Sequence, residues 1–248
     1  MNYELRELFS RICGFVLVWA VILFTLAAAV YGISGNGDLL SREMLRHAPP
    51  ETTGLPETEY PGVGRMTAGY LTGQEESFQY IWTDANGRGY VGFQPHEADH
   101  MADCRGLIGL AGTLRWITGA AALLLAGAGI LLRQRKAFAG GMLTGLCTAG
   151  VLFAGIAVWA LVNFDGLFVT FHRVAFTNDG WLLNPRTDLL IRLMPVNFFV
   201  SLGVRIMIWI LVAGIILFCT GKCIHHAEIR SNNGNGQLQG NDCVYDRK

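Results

Sequence analysis

Charge is scarce in this chain. Asp, Glu, Lys and Arg make up 15% of its 248 residues, and 19 basic side chains cancel 19 acidic ones. Without a basic excess or a basic stripe there is nothing to neutralise a phosphate backbone, which excludes nucleic acid as a partner. No internal repeat is visible. What the chain has in quantity is apolar surface, at 52% of residues. It gathers into four blocks, Ile12 to Ile33, Leu107 to Leu132, Met142 to Val162 and Phe198 to Phe218. Each is about twenty residues long, the length an α-helix needs to cross a hydrocarbon layer roughly 30 Å thick. Four blocks apolar on every face exceed what a soluble domain of this size can bury.

The expected fold is therefore an α-helical integral membrane protein with four transmembrane helices. The first apolar run is longer than a signal-peptide core and follows Glu4 and Glu7, so an uncleaved span is expected rather than a leader. The connection Arg133 to Lys136, "RQRK", is wholly basic and belongs on the cytoplasmic side. Both termini then face the cytoplasm, and residues 34–106 and 163–197 lie outside. The expected parts are 1–33 with the first span, the outer segment 34–106, the second span 107–132, a basic loop 133–141, the third span 142–162, the outer segment 163–197, the fourth span 198–219 and a disordered tail 220–248. The tail is rich in Asn and Gly after Ala227 and lacks apolar residues to bury.

This topology scatters the six cysteines. Only Cys104 faces outward, so no external disulfide forms within one chain. The stretch Cys219 to His226, "CTGKCIHH", resembles a metal site in composition alone, and reduced thiols beside a membrane are the reading preferred.

In the first outer segment, "SFQYIWTDANGRGYVGF" (Ser77 to Phe93) places β-prone residues either side of Asn86-Gly87 and reads as a hairpin. "RMTAGYLTG" suggests a further strand and "LPETEYPGVG" a loop, so a small β-rich extracytoplasmic cap is expected. From Pro95 onward "HEADHMADCRGLIGL" suits a helix running into the second span. In the second outer segment, Asn184 before Pro185 suggests an N-cap, with Leu189, Leu190 and Leu193 on one face of a short interfacial helix ending at Pro195.

The topology brings His96, His100 and His172 to the same side of the membrane, with Asp103, Asn178, Trp181 and Asp188 among them, while His47 stands alone in a loop. Several polar groups at one leaflet favour a functional site over isolated structural histidines. "HEADH" (His96 to His100) spells the zinc-protease motif of two histidines one turn apart with a glutamate base. Pro95 puts His96 in the first helical turn, however, and a third ligand is needed, so a zinc hydrolase using His96, Glu97 and His100 is kept as an alternative. A Cys104 thiolate beside His100 is a further possible nucleophile, less favoured than a packed thiol. Arg115, about two turns into the second span, either snorkels to phosphate or holds a substrate group. Arg205 is expected to snorkel.

"HMADC" before the second span and "FHRVAFTNDGWLLNPRTDLLIRLMP" (Phe171 to Pro195) resemble the signatures of the bacterial lipoprotein intramolecular transacylases, four-span proteins. The resemblance implies a substrate: a diacylglyceryl-modified lipoprotein in the bacterial cell membrane. It also implies a reaction at the outer leaflet, in which the sn-2 acyl chain moves to the α-amino group of the same N-terminal cysteine and leaves a lyso-form lipoprotein. It places the essential histidines at His100 and His172 and leaves His96 outside the pattern. The family tends to carry an aliphatic residue where Cys104 stands. No cofactor or metal is implied. Imidazole suits the chemistry, since an α-amine with a pKa near 8 must lose a proton before attacking an ester. His172 is expected as base and acid, His100 as its support, oriented by Asp103. Asn178 and Trp181 are candidate oxyanion donors, and Asp188 and Arg115 candidate orienting groups. A non-catalytic membrane scaffold is the third class.

Overall fold

The computed structural model describes residues 2–83 and 86–242, with side chains as far as His226. Among the described residues, four helices are long and apolar enough to cross a membrane. They are α1 (Tyr3–Ser34), α5 (Pro95–Leu132), α6 (Arg135–Val162) and the part of α9 (Val196–Asp242) up to His226. Their outward faces are bare aliphatic surface: Leu123, Leu131 and Leu161 are 77%, 82% and 87% exposed. Surface of that kind suits lipid rather than water.

The chain divides into two units, the first made of residues 1–24, 117–154 and 210–248. Here α1 and α6 approach until their backbones touch. A Cβ at Gly14 would collide with the Phe138 carbonyl, one at Gly141 with the Arg11 carbonyl, and one at Gly145 would sit 3.0 Å from the Phe15 carbonyl. Small residues four apart let helices meet closely in lipid, where no hydrophobic force drives them together. The basic loop is tighter than expected. Only Arg133 and Gln134 are non-helical, with Arg133 at φ 56°. The tail also differs from expectation, since the helix of α9 continues to Asp242. Extending an existing helix adds a hydrogen bond per residue without a new nucleus. The remainder of the expected tail, 243–248, lies outside the described residues.

The second unit, residues 25–116 and 155–209, carries the two segments expected to lie outside. Its core gathers Met44, Leu55, Tyr60, Phe78, Phe93, Leu193 and Phe198. The cap is mostly helical, which corrects the strand expected at "RMTAGYLTG". These residues lie in α4 (Tyr60–Thr72), whose Val63, Thr67, Ala68 and Tyr70 are buried and which ends at Gly73 in the left-handed region, φ 84°. Pro at the first turn and Gly just past the last is ordinary helix punctuation. α4 packs on α2 (Gly37–His47) through Gly64, where a Cβ would press on Ser41. A short α3 (Pro50–Thr53) joins them.

The expected hairpin is present: β1 (Ile81–Thr83) pairs antiparallel with β2 (Gly89–Val91), Ile81 opposite Val91 and Trp82 opposite Tyr90. The turn uses Gly87 at φ 78°. Arg205 does not snorkel. It is bound 2.7 Å from Glu43 on α2, which also accepts from Ser201 at 2.6 Å. His47 belongs to α2 rather than a loop and faces the same carboxylate at 3.4 Å. Burial drives the Glu43 carboxyl upward, but the bonds from Ser201 and Arg205 and the charge of Arg46 outweigh it and hold it below its ordinary value.

In the second outer segment Asn163 stops α6 and caps a helix not foreseen, α7 (Phe164–Ala175), by accepting from the Gly166 N–H at 2.8 Å. The interfacial helix is shorter than expected: α8 spans Leu189–Leu193 with Asp188, not Asn184, at its N-cap. Asn184 instead closes a turn, accepting from Thr187 and Asp188. Leu189, Leu190 and Leu193 share the buried face as expected.

Candidate active site

The N-terminus of α5 is fastened by two buried carboxylates. Glu97, fully buried, accepts the Gln94 N–H at 2.7 Å, the reciprocal arm of a capping box, and the Leu190 N–H at 2.6 Å. Asp188, 2% exposed, accepts from His96 at 2.9 Å, the Asn184 N–H at 2.8 Å and the Thr187 hydroxyl at 2.6 Å. Burial raises the Asp188 carboxyl, but these bonds outweigh it and hold it below 3.8. A segment ninety residues away in sequence is thus pinned to the first turn of α5.

One turn beyond His96 stands His100, and α7 brings His172 against it. Both are 7% exposed, with ring centroids 5.9 Å apart. The Phe168 carbonyl, one turn back on α7, lies 2.8 Å from His172 Nδ1. A carbonyl only accepts, so Nδ1 carries the proton and Nε2 is left as the basic nitrogen of the neutral ring. Burial lowers the His172 pKa below 6.5, against a smaller upward pull from that carbonyl. Aromatic rings enclose it: Phe168, Trp181, Phe171 and Phe176 stand 4.1, 5.1, 5.4 and 5.5 Å from its centroid.

His100 Nε2 meets the Cys104 thiol at 3.6 Å, while its Nδ1 is buried and has no hydrogen-bond partner among the described residues. An orphaned imidazole nitrogen beside a second histidine can receive a substrate group, because a buried polar atom is seldom left unpaired without a role.

Of the other expected residues, Asp103 bonds not to His100 but to Asn178, whose Nδ2 donates at 2.9 Å. Asn178 Oδ1 in turn accepts the Gly180 N–H at 2.9 Å, which fixes the amide orientation. That turn leads directly to Trp181 on His172. Asp188 belongs to the clasp at His96. Arg115 is fifteen residues beyond His100 on α5, about 22 Å along the axis at 1.5 Å per residue.

The zinc-protease spelling fails in geometry. Both Glu97 oxygens are occupied by backbone N–H groups and His96 is turned to Asp188. No three His, Cys, Asp or Glu among the described residues are grouped to hold a metal, "CTGKCIHH" included. The Cys104 thiol faces His100 and, among the described residues, is bonded to no Lys or Arg that would favour thiolate. Sequence reasoning missed the phenylalanine enclosure and the Glu97 clasp. Their signals were present as Phe168 four residues before His172, and as a glutamate three residues past Gln94, the residue just before α5.

A family model described as lipoprotein intramolecular transacylase matches residues 15–199. The solved structure of the membrane integral lipoprotein intramolecular transacylase of Bacillus cereus superposes with a TM-score of 0.70 at 19% identity, covering 90% of this chain and 98% of that one. A form of the same protein with one histidine replaced by alanine gives 0.67 at 19% identity, over 93% and 100% of the two chains. A form with arginine gives 0.65 at 19%, over 90% and 95%. The shared architecture is that of an α-helical integral membrane protein with four spans. No curated protein sequence matches this one.

Proposed function

The chain belongs to the lipoprotein intramolecular transacylase family, and we propose that it moves the sn-2 acyl chain of an S-diacylglyceryl N-terminal cysteine onto that cysteine's own α-amino group. The observation that carries the reading is the pair of buried imidazoles, one with a free basic nitrogen and one with an unpartnered nitrogen, inside an aromatic enclosure.

In this reading the amine attacks the ester carbonyl, forming the N–C bond, and His172 Nε2 takes the proton that the nitrogen must lose. As the tetrahedral intermediate collapses, the sn-2 C–O bond breaks and the same proton goes to the glycerol oxygen, so His172 ends as it began. Its lowered pKa suits the first step, because the ring is neutral and able to accept at physiological pH. His100 meets the reacting groups through Nδ1. Asp103 and Asn178 hold the turn that sets Trp181 against His172, and Asn178 keeps one amide hydrogen for the developing oxyanion.

Amine and ester belong to one molecule, so holding them in contact supplies on the order of 7 to 11 kcal/mol of the barrier. No external nucleophile is required. The phenylalanines keep out water that would hydrolyse the ester. The substrate enters laterally from the outer leaflet of the bacterial cell membrane, with both protein termini in the cytoplasm.

The test is tandem mass spectrometry of the N-terminal lipopeptide of a model lipoprotein, from a host lacking its own N-acylating enzyme. The host expresses this protein, its His172→Ala variant, or neither. One acyl chain moves from glycerol to nitrogen at unchanged mass with the native chain and stays in place with the variant. An unaltered diacylglyceryl peptide from well-expressed native protein refutes the reading.

A further inference from the structure

The hairpin ends where α5 begins, since β2 runs through Gly92, Phe93 and Gln94 into Pro95. Its two faces differ. On one, the Trp82 and Tyr90 rings stack with centroids 5.4 Å apart, and a Cβ at Gly92 would meet the Trp82 ring at 3.3 Å and Leu189 at 3.7 Å, so this face rests on the core. On the other, Ile81 and Val91 stand opposite each other and are 69% and 67% exposed.

The edge of the sheet is open as well. The Gly92 N–H donates to the Tyr80 carbonyl at 2.8 Å, which makes Tyr80 and Gly92 a hydrogen-bonded pair. Antiparallel pairs alternate, so Trp82 and Tyr90 bond to each other, while Ile81, Thr83, Gly89 and Val91 point their main-chain N–H and C=O groups away from the partner strand. No described residue bonds to these outward groups of Gly89 and Val91. Sheets commonly blunt such an edge with lysine, proline or a bulge. Gly89 to Val91 has none of these, and its register with β1 is unbroken. A bare strand edge is the surface that an extended peptide completes, through main-chain bonds that disregard the peptide's side chains.

We propose that the free edge of β2 binds the extended polypeptide that follows the lipid-modified cysteine of the substrate lipoprotein, adding it to the sheet as a third strand. The choice of occupant rests on the transacylase reading, which brings that cysteine's amine to His172 and His100. Continuity with the histidines selects the β2 edge over that of β1. Five helical steps and four extended ones separate His100 from Val91, so the edge lies no more than about 21 Å from the histidine. An extended peptide covers that distance in roughly six residues. The lipid then fixes one end of the substrate and the added strand holds the chain that leaves it, so the amine loses the freedom to swing out of attack geometry.

The test compares diacylglyceryl lipopeptides of three and ten residues that carry the same lipid. Their dissociation constants are read by native mass spectrometry of the full chain in detergent, and acyl transfer is followed on the same samples. The ten-residue peptide is expected to bind roughly tenfold more tightly, the worth of one or two main-chain hydrogen bonds. N-methylation moved one residue at a time along its last five amides should abolish that gain at alternate positions and spare those between, the period of two that strand pairing imposes. The protein is untouched in this series, so its folding does not enter. Val91→Pro deletes the outward N–H of β2 and keeps the ladder to β1, because proline is tolerated on an edge. It should bring the ten-residue peptide to the affinity of the short one, whereas Ile81→Pro, the equivalent change on the opposite edge, should leave it unchanged. Equal affinity for the two lengths, an N-methyl effect without alternation, or an effect of Ile81→Pro in place of Val91→Pro overturns the proposal. Binding is read apart from turnover. Peptides bound in this pattern but never transacylated would refute the transacylase reading, and transfer without any length preference in binding would refute the edge site alone.

Discussion

In the proposed reaction His172 carries the acid–base chemistry. Its Nδ1 is committed to a backbone carbonyl and its ring is sealed by four aromatic groups, so only Nε2 is left to exchange protons. Replacing it by alanine is expected to lower the rate by on the order of 10² to 10⁴, the usual contribution of a positioned acid–base group, with the protein still folded. The pH profile follows from its burial. A base must be neutral to act, and burial lowers the pKa of this one below 6.5. The acid limb of the transfer rate should therefore fall below pH 6.5, and the rate should climb on the alkaline side as the substrate amine, near 8, loses its proton. A rate measured across pH 4 to 9 with a synthetic diacylglyceryl lipopeptide checks both limbs. A profile that shows the amine limb near 8 but no further steepening below pH 6.5 would mean that a different group is the base.

At the scale of elements, the two outer segments are joined by the carboxylates at the start of α5. Glu97 stands in the spelling of a zinc protease and serves as a fastener. Glu97→Gln keeps one acceptor oxygen for two N–H donors, so one buried N–H is orphaned at about 1 to 3 kcal/mol. The expected result is a lower melting temperature with activity unaffected by a chelator. Loss of activity on chelation in the native protein would restore the metal reading. Asp188 acts alongside it. Its folded pKa is depressed, so its stabilisation is complete above 3.8 and is lost as pH falls through the lower folded value, and the clasp holds at neutral pH. His96→Ala, at a half-exposed ring, should cost little stability and leave transfer intact. The sequence made the helix from Pro95, the hairpin at Asn86-Gly87 and the histidine pair legible, because proline position, a turn dipeptide and topology are local signals. It hid α4, since "RMTAGYLTG" is equally acceptable as a strand until Pro61 and Gly73 are read as helix ends. It hid the roles of Glu97, Asp188 and Glu43 for another reason: their partners lie some 90 to 160 residues away and no spacing announces them.

At the scale of the whole chain, four spans were visible because each apolar block is long enough to cross a membrane and carries few charges. How closely the helices meet was not, since that depends on glycines lying opposite backbone rather than on hydropathy. The contact of Gly14 and Gly141 with facing carbonyls predicts that Gly141→Leu separates α1 from α6 and destabilises the chain by several kcal/mol, because the obstruction is main chain and cannot rotate aside. Chemical unfolding in detergent measures this. Orientation rests on the basic turn between α5 and α6. In the proposed orientation Arg133 is cytoplasmic and the hairpin and the histidine pair are at the outer leaflet. A cysteine placed at Asn86 should then react with a membrane-impermeant maleimide on intact cells, above the labelling of the parent chain. One placed at Arg133 should react only after the membrane is opened. The reverse pattern would put the site on the cytoplasmic face, where no lipid-modified lipoprotein cysteine would be presented to it, and would remove the proposed substrate even if the histidine geometry were right.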